Sequence, residues 1–256
     1  MTEKFNFKIL EDFLKNLTNH QLDIILNIAK IFQSKLSKKF INKASEFINE
    51  KIYSDFGDLL KVHHIFSIEP FTKDKFEFGL QKVFSLNGYK SELANKGNRG
   101  HDLTLDSIKI SLKTQADSKI KSDEIHISKF MELGKGEWKE SISDLKNLHE
   151  QFINHLENYD KILMLRFLRD DDSILNYELI EIPKSILLKS QDGIFSIMSE
   201  SKQFPKPGYC EVYEGKDLIY KLYFDGGSER KLQIKNLNKN YCIVHAEWGI
   251  SASSFK

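Results

Sequence analysis

A hairpin pattern between Gly97 and Gln115, GNRGHDLTLDSIKISLKTQ, constrains the fold more than any other stretch of the chain. Leu103 and Leu105 alternate with polar residues, Asp106-Ser107 supplies a turn, and Ile108, Ile110 and Leu112 alternate again. That spacing predicts two short strands joined by a tight connection. Side chains of a strand point to alternate faces, so Lys109, Ser111 and Lys113 lie opposite the isoleucines, and Asp102 shares a face with Thr104. Pairing the two strands brings the Asp102 carboxylate beside the Ser111 hydroxyl and the Lys113 ammonium. A carboxylate with a lysine on rigid strands suits a hydrolytic metal site. The same alternation also describes an ordinary sheet face with its lysines in water.

The segment GHDLTLDSIKISLKT resembles the signature of the PD-(D/E)XK nuclease superfamily, in which an Asp is followed on the next strand by Glu/Asp-x-Lys. Asp102 matches the first acid. Ser111-Leu112-Lys113 matches the second element, with Ser where Glu is usual. The resemblance implies an α/β restriction-endonuclease-like core, a central mixed β-sheet flanked by helices, and Mg²⁺-dependent hydrolysis of DNA phosphodiester bonds by a type II restriction endonuclease. It implies that Asp102 and Ser111 hold the metal, and that Lys113 acts on the attacking water and on transition-state charge. A hydroxyl is a poorer ligand for a hard cation, and some restriction endonucleases that this chain resembles tolerate such a Ser by taking a carboxylate from a neighbouring helix. Two acids qualify here, Glu77 and Glu124. Glu124 is placed slightly ahead because it follows the lysine strand by a short connection, whereas Glu77 depends on the docking of a helix.

The same resemblance implies double-stranded DNA as partner and a two-fold homodimer reading a palindromic target. Arg99, in a glycine-flanked lead-in, and Lys119, Lys121 and Lys129, after the hairpin, are the cations expected against the phosphate backbone. Gln115, on the face of Lys113, is expected to touch it as well. Two rivals compete: a repair or structure-selective nuclease of the same fold, and a DNA-binding protein whose nuclease site has decayed, with Ser111 as the scar. Decay gives no account of why both Asp102 and Lys113 persist.

Composition bounds these readings without choosing between them. The chain has 256 residues, 40% hydrophobic and 29% charged, enough for one sizeable core or two joined lobes. Thirty-eight Lys and Arg against 37 Asp and Glu leave a formal charge of +1, so any DNA-binding cations must be gathered locally. The two cysteines lack metal spacing and read as buried thiols of a reducing compartment, with a bridge left open. The segment MTEKFNFKILEDF is not a signal peptide, and no apolar run reaches membrane-spanning length, so a soluble cytoplasmic protein is expected. There is no Walker loop, dinucleotide fingerprint or Ser-His-Asp elbow.

Residues 1–70 read as helical, 71–190 as the nuclease core, and 191–256 as a β-rich region packed on that core. Leu22, Ile25, Leu26, Ala29 and Phe32 recur at helical spacing with Asn19 as N-cap, and KKFINKASEFINEKIY continues the pattern. His63 and His64 are adjacent and point different ways, which argues against a metal pair. TKDKFEFGLQKVFSLNGYKSE predicts a helix capped by Thr72 or Asp74, buried through Phe76, Leu80, Val83 and Phe84, and ended by Asn87-Gly88. Ser122 or Asp123 starts a short helix bearing Glu124, or a loop opening into one. Residues 138–157 predict an amphipathic helix. ILMLRFL reads as a fully buried strand, Asp170-Asp171-Asp172 as a turn and NYELIEIP as the next strand. YCEVYE, DLIYKLYF, KLQIKNL and NYCIVHAEW read as later strands.

Overall fold

A computed structural model describes residues 6–95, 97–98, 100–117, 120–134, 138–171 and 173–251. Helices α1 (Phe7–Leu14) and α2 (Asn19–Gln33) open the chain. The N-cap of α2 is Thr18 rather than Asn19, because Thr18 and Gln21 exchange the two hydrogen bonds of a capping box. The helical reading of KKFINKASEFINEKIY fails over its first half. Residues Lys38–Ile41 form strand β1, and helix α3 (Glu50–Phe66) begins only where Asn49 caps the amides of Lys51 and Ile52. The cause is non-local: β1 pairs antiparallel with the final strand β12 (Ile243–Ser251), Phe40 opposite Glu247.

Helix α4 (Lys73–Leu86) buries Phe76, Leu80, Val83 and Phe84 as its period demands. It ends at Asn87, and Gly88 at φ 86° takes the left-handed conformation that closes such a helix. Strand β2 (Ser91–Leu93) leads to the hairpin β3 (Leu103–Leu105) and β4 (Ile108–Gln115), turned through Asp106 at φ 54°. Where a helix or loop is expected at Glu124, the chain forms strand β5 (Glu124–Glu132), then helix α5 (Ile142–Leu156), capped reciprocally by Ser141 and Asp144. Strands β6 (Lys161–Asp171) and β7 (Ile174–Glu181) follow, so Asp170 and Asp171 belong to a strand rather than to the expected turn, and Asp172 lies outside the described residues. Helix α6 (Lys184–Leu188) and strands β8 (Ile194–Ile197), β9 (Gly208–Glu214), β10 (Asp217–Asp225) and β11 (Lys231–Asn238) complete the chain before β12.

Two sheets result. The larger has seven strands in the order β1-β12-β7-β6-β4-β3-β2, and the smaller has five in the order β5-β11-β10-β9-β8. The larger is mixed, as expected, since β4 and β6 run parallel while its other neighbours are antiparallel. The chain-order thirds interleave in space: β1 and β12 meet at one end of the large sheet, and β5 joins strands from beyond residue 190.

The run ILMLRFL serves both faces of the large sheet. Leu163, Leu165 and Phe167 pack with Phe56 and Leu60 of α3 and Phe76 and Leu80 of α4. Ile162 and Met164 pack with Leu145 and Phe152 of α5 and with Leu222 and Ile234 of the small sheet. A strand buried on both faces carries apolar residues on both, here with Arg166, paired with Glu178, as the exception, which is why alternation is absent there. Both cysteines are free thiols, Cys210 buried and Cys242 half-buried. Among the described residues no helix is long and apolar enough to cross a membrane.

Two buried histidines stake part of the stability on pH. His64 Nε2 lies 2.8 Å from the Tyr177 hydroxyl, and His149 Nε2 lies 2.7 Å from Ser190 Oγ. Burial pushes each imidazole from 6.5 down to about 4. The unfolded chain therefore binds protons at these rings near pH 6.5, and the folded chain only near 4. Unfolding free energy is expected to fall as the pH drops through that window, by on the order of 2 kcal/mol per ring between pH 7 and 5. Urea denaturation at the two pH values measures it, and equal stabilities would mean that the rings are not held neutral in the fold.

Candidate active site

The N-terminus of α4 and the β3–β4 hairpin converge on the Asp102 carboxylate. Asp102 lies one residue before β3, and its amide bonds to the Ile110 carbonyl at 2.9 Å. Its Oδ2 accepts the Leu112 amide at 2.6 Å and lies 3.4 Å from the Ser111 hydroxyl. Its Oδ1 accepts the Lys73 ammonium at 2.8 Å, and the same ammonium lies 2.8 Å from Glu77 Oε1. One cation thus bridges two carboxylates from different elements. Burial alone would lower the Lys73 ammonium, but Asp102 and Glu77 hold it above its ordinary value.

Lys113 lies on the next strand. Its Nζ donates to the Phe130 carbonyl at 3.1 Å and sits 5.2 Å from the centre of that ring. Burial pushes this ammonium down to about 8; Asp102 and Glu77 pull against the change, while Lys73 adds to it. Behind it, burial and the Lys113 charge push the half-buried His155 down to about 4, so this ring brings no second charge. The Tyr159 phenol is pushed up by burial and by Asp102, and its buried hydroxyl has no hydrogen-bond partner among the described residues.

The structure therefore brings together Asp102, Ser111, Lys113 and Glu77. Ser111 is buried under Asp102 and props it instead of opening onto solvent. Glu124 is elsewhere. It begins β5 six residues before Phe130, about 20 Å along the strand, where Lys121 and Asn236 meet its carboxylate. Gln115 is buried, and its side-chain oxygen accepts Arg166 Nε at 2.9 Å, which commits the amide to the interior rather than to a DNA backbone. Gln115, Lys121 and Glu124 line a separate cleft of about 370 Å³ with His126 and Lys235. Lys129 is exposed and paired with Glu132 and Glu229. Arg99 and Lys119 lie outside the described residues. Sequence reasoning missed Lys73; its only local signal is the i, i+4 spacing to Glu77.

The family model described as SmaI, type II site-specific deoxyribonuclease, matches residues 10–250. The chain belongs to this family. It is 44% identical over 234 residues to the type II restriction enzyme SmaI of Serratia marcescens, covering 91% of this chain and 92% of that enzyme. The SmaI-family match runs through both sheets and both core clusters, so the hairpin sits inside the shared region. Within it, Ser111 stands where a Glu is expected on the lysine strand, and Glu77 on the helix shares the Lys73 ammonium with Asp102.

A divalent cation suits this SmaI-family site by charge and donor type. Asp102 and Glu77 offer hard oxygen donors to one point that already holds a cationic group. Among the described residues no three His, Cys, Asp or Glu side chains gather as a metal cluster. Two carboxylates with water and phosphate completing the shell is a usual arrangement for Mg²⁺. The two candidate acids are thereby separable. Glu77→Ala is expected to lower DNA cleavage as severely as Asp102→Asn, and Glu124→Ala to leave it within a few-fold of the parent. Steady-state cleavage of a plasmid substrate by the three variants measures this; the reverse order for the two glutamates would move the second acid to the start of β5.

Proposed function

We infer that this chain is a type II restriction endonuclease that hydrolyses phosphodiester bonds of double-stranded DNA at a specific sequence, with Mg²⁺ held by Asp102 and Glu77. The observation that carries this reading is the Asp102–Glu77 pair sharing one cation beside Lys113, in a chain matched to the SmaI family over residues 10–250. Family membership sets aside the structure-selective rival, and the intact charge cluster speaks against a decayed site.

The chemistry Mg²⁺ supplies there is Lewis-acid polarisation of the phosphate. The protein's own residues do the rest. The Leu112 amide and Ser111 hydroxyl fix one oxygen of Asp102, so the other is aimed without a search over rotamers. Lys113 has three donor protons, of which the Phe130 carbonyl takes one. Its lowered affinity for a proton makes the neutral amine accessible near neutral pH, where it takes a proton from the attacking water. The resulting ammonium then faces the charge that builds on the phosphate oxygens. Lys129, next to Phe130, supplies a phosphate contact, and exposed ion pairs such as Lys129–Glu132 cost little to exchange for it.

Plasmid incubated with Mg²⁺, with and without chelator, tests the function directly: discrete fragments support it, whereas unspecific nicks or binding without cleavage defeat it. Lys113→Ala is expected to slow cleavage by about 10²–10³ while leaving DNA affinity, measured with Ca²⁺ in place of Mg²⁺, nearly unchanged. A variant that cuts at the parental rate would remove the hairpin from the chemistry.

A two-fold homodimer goes with this reading. What supports it is the apolar face of the first two helices, where Leu10, Phe13, Leu26 and Phe32 are all exposed. Sedimentation of the parent is expected to give a dimer, and Phe13→Asp with Leu26→Asp to give a folded monomer. A parental monomer, or a doubly substituted protein that stays dimeric, would place the contact elsewhere or deny it.

A further inference from the structure

Lys73 is an odd residue for its position. It opens α4, where the exposed amides of the first turn disfavour a cation. Nothing in the helix calls for it beyond the i, i+4 pair with Glu77, and its second contact, Asp102, lies on another element. Two carboxylates that share a point repel each other unless a cation lies between them, and here the cation is a side chain. The other lysine of the cluster cannot serve in this way, because Phe130 holds it by both carbonyl and ring. Lys73, by contrast, is 44% exposed on a flexible four-carbon stem.

We propose that Lys73 is a resident counter-ion of the active site: its ammonium occupies the place between Asp102 and Glu77 until a divalent cation displaces it, and the displaced ammonium then pairs with a DNA phosphate. This rests on reading Asp102 and Glu77 as the metal-holding pair. Cation binding is on this account an exchange, since an ammonium and a divalent ion within a few ångström of one another repel strongly. The free protein therefore resists the metal. DNA gives the expelled ammonium a new anionic partner, so each of DNA and metal tightens the binding of the other. No proton is transferred in the exchange; Lys73 remains an ammonium and acts as a positioning residue.

Mn²⁺ binding to the full-length protein without DNA, followed by electron paramagnetic resonance, tests the exchange. Lys73→Met is expected to bind Mn²⁺ about tenfold or more tightly than the parent, because the competing charge is gone. Lys75→Met, two residues along the same helix, is expected to match the parent. Affinity in Lys73→Met equal to or below the parental value would overturn the proposal. Asp102→Asn separates it from the reading beneath it. If that variant binds Mn²⁺ like the parent, the metal-holding pair itself is wrong. If it loses Mn²⁺ while Lys73→Met gains nothing, only the counter-ion role falls. A second measurement needs no variant: mass spectrometry of acetylated parent is expected to show Lys73 labelled faster once resonance shows Mn²⁺ bound. Unchanged labelling with the ion in place would overturn the exchange.

Discussion

The parallel pairing of β4 with β6 is the constraint from which the site follows. Parallel neighbours cannot be joined by a tight turn, and here the connection from Gln115 to Lys161 passes through β5 and α5. That crossover lays Phe130 of β5 and His155 of α5 over one face of β4, the face that carries Ser111 and Lys113. The other face, with Ile110 and Leu112, is covered by α3 and α4. Lys113 is thus enclosed by the crossover, while Asp102, one residue outside the sheet, stays within reach of the N-terminus of α4. Asp160 pins the register at the start, exchanging two 2.8 Å hydrogen bonds with the Lys109 backbone. A shift of one residue there would turn Lys113 into the apolar face.

At the far end of the same pair, Arg166 does for the two sheets what Asp160 does for the register. It is fully buried on the crossover face and pairs with Glu178 and with Gln115 across the sheet. Its remaining protons go to the carbonyls of Lys121 and Glu124, both at 2.7 Å, and of Ser122, at 3.3 Å. A guanidinium with its donors filled ties the entry of β5 to the large sheet. Glu178 is shared in turn by Lys239, at 2.7 Å, beyond β11. Removing one member would leave a buried charge unpaired, a loss of a few kcal/mol. This network accounts for where Gln115 and the Glu124 backbone lie.

What was legible in the sequence is what adjacent residues decide. The period of LTLDSIKISL specifies the hairpin and puts Asp102, Ser111 and Lys113 together, because register across a tight turn is local. The run ILMLRFL specifies a strand buried on both faces for the same reason. The larger failures are non-local. Lys38–Ile41 has a helical pattern but finds a ladder partner some two hundred residues away in β12. Glu124 lies near Lys113 in sequence, yet its strand belongs to the small sheet, which carries it away. Lys73 shows only its pairing with Glu77; no local pattern announces that Asp102 completes it. Period and spacing fix which face a side chain takes, and the packing of distant elements decides what faces it.

On the proposed reading, in which Glu77 serves where a strand glutamate would stand and Ser111 occupies the strand position, precision rests on a helix. A carboxylate on β4 would be placed by the ladder itself. Glu77 is placed only as well as α4 is docked, and the docking is close. Gly79, two residues on, faces α3 and the loop before α4 so tightly that a methyl group there would come within 2.6 Å of Leu59 Cδ2 and 3.3 Å of the Phe71 ring. Phe76, beside Glu77, is fully buried and meets Phe56 edge-on at 6.1 Å. Close-packed interiors resist small displacements, so the α3–α4 contact substitutes for the rigidity a strand would have given. Residues of the hydrophobic core thereby set the distance between the Glu77 and Asp102 carboxylates, and with it the geometry on which the proposed site depends.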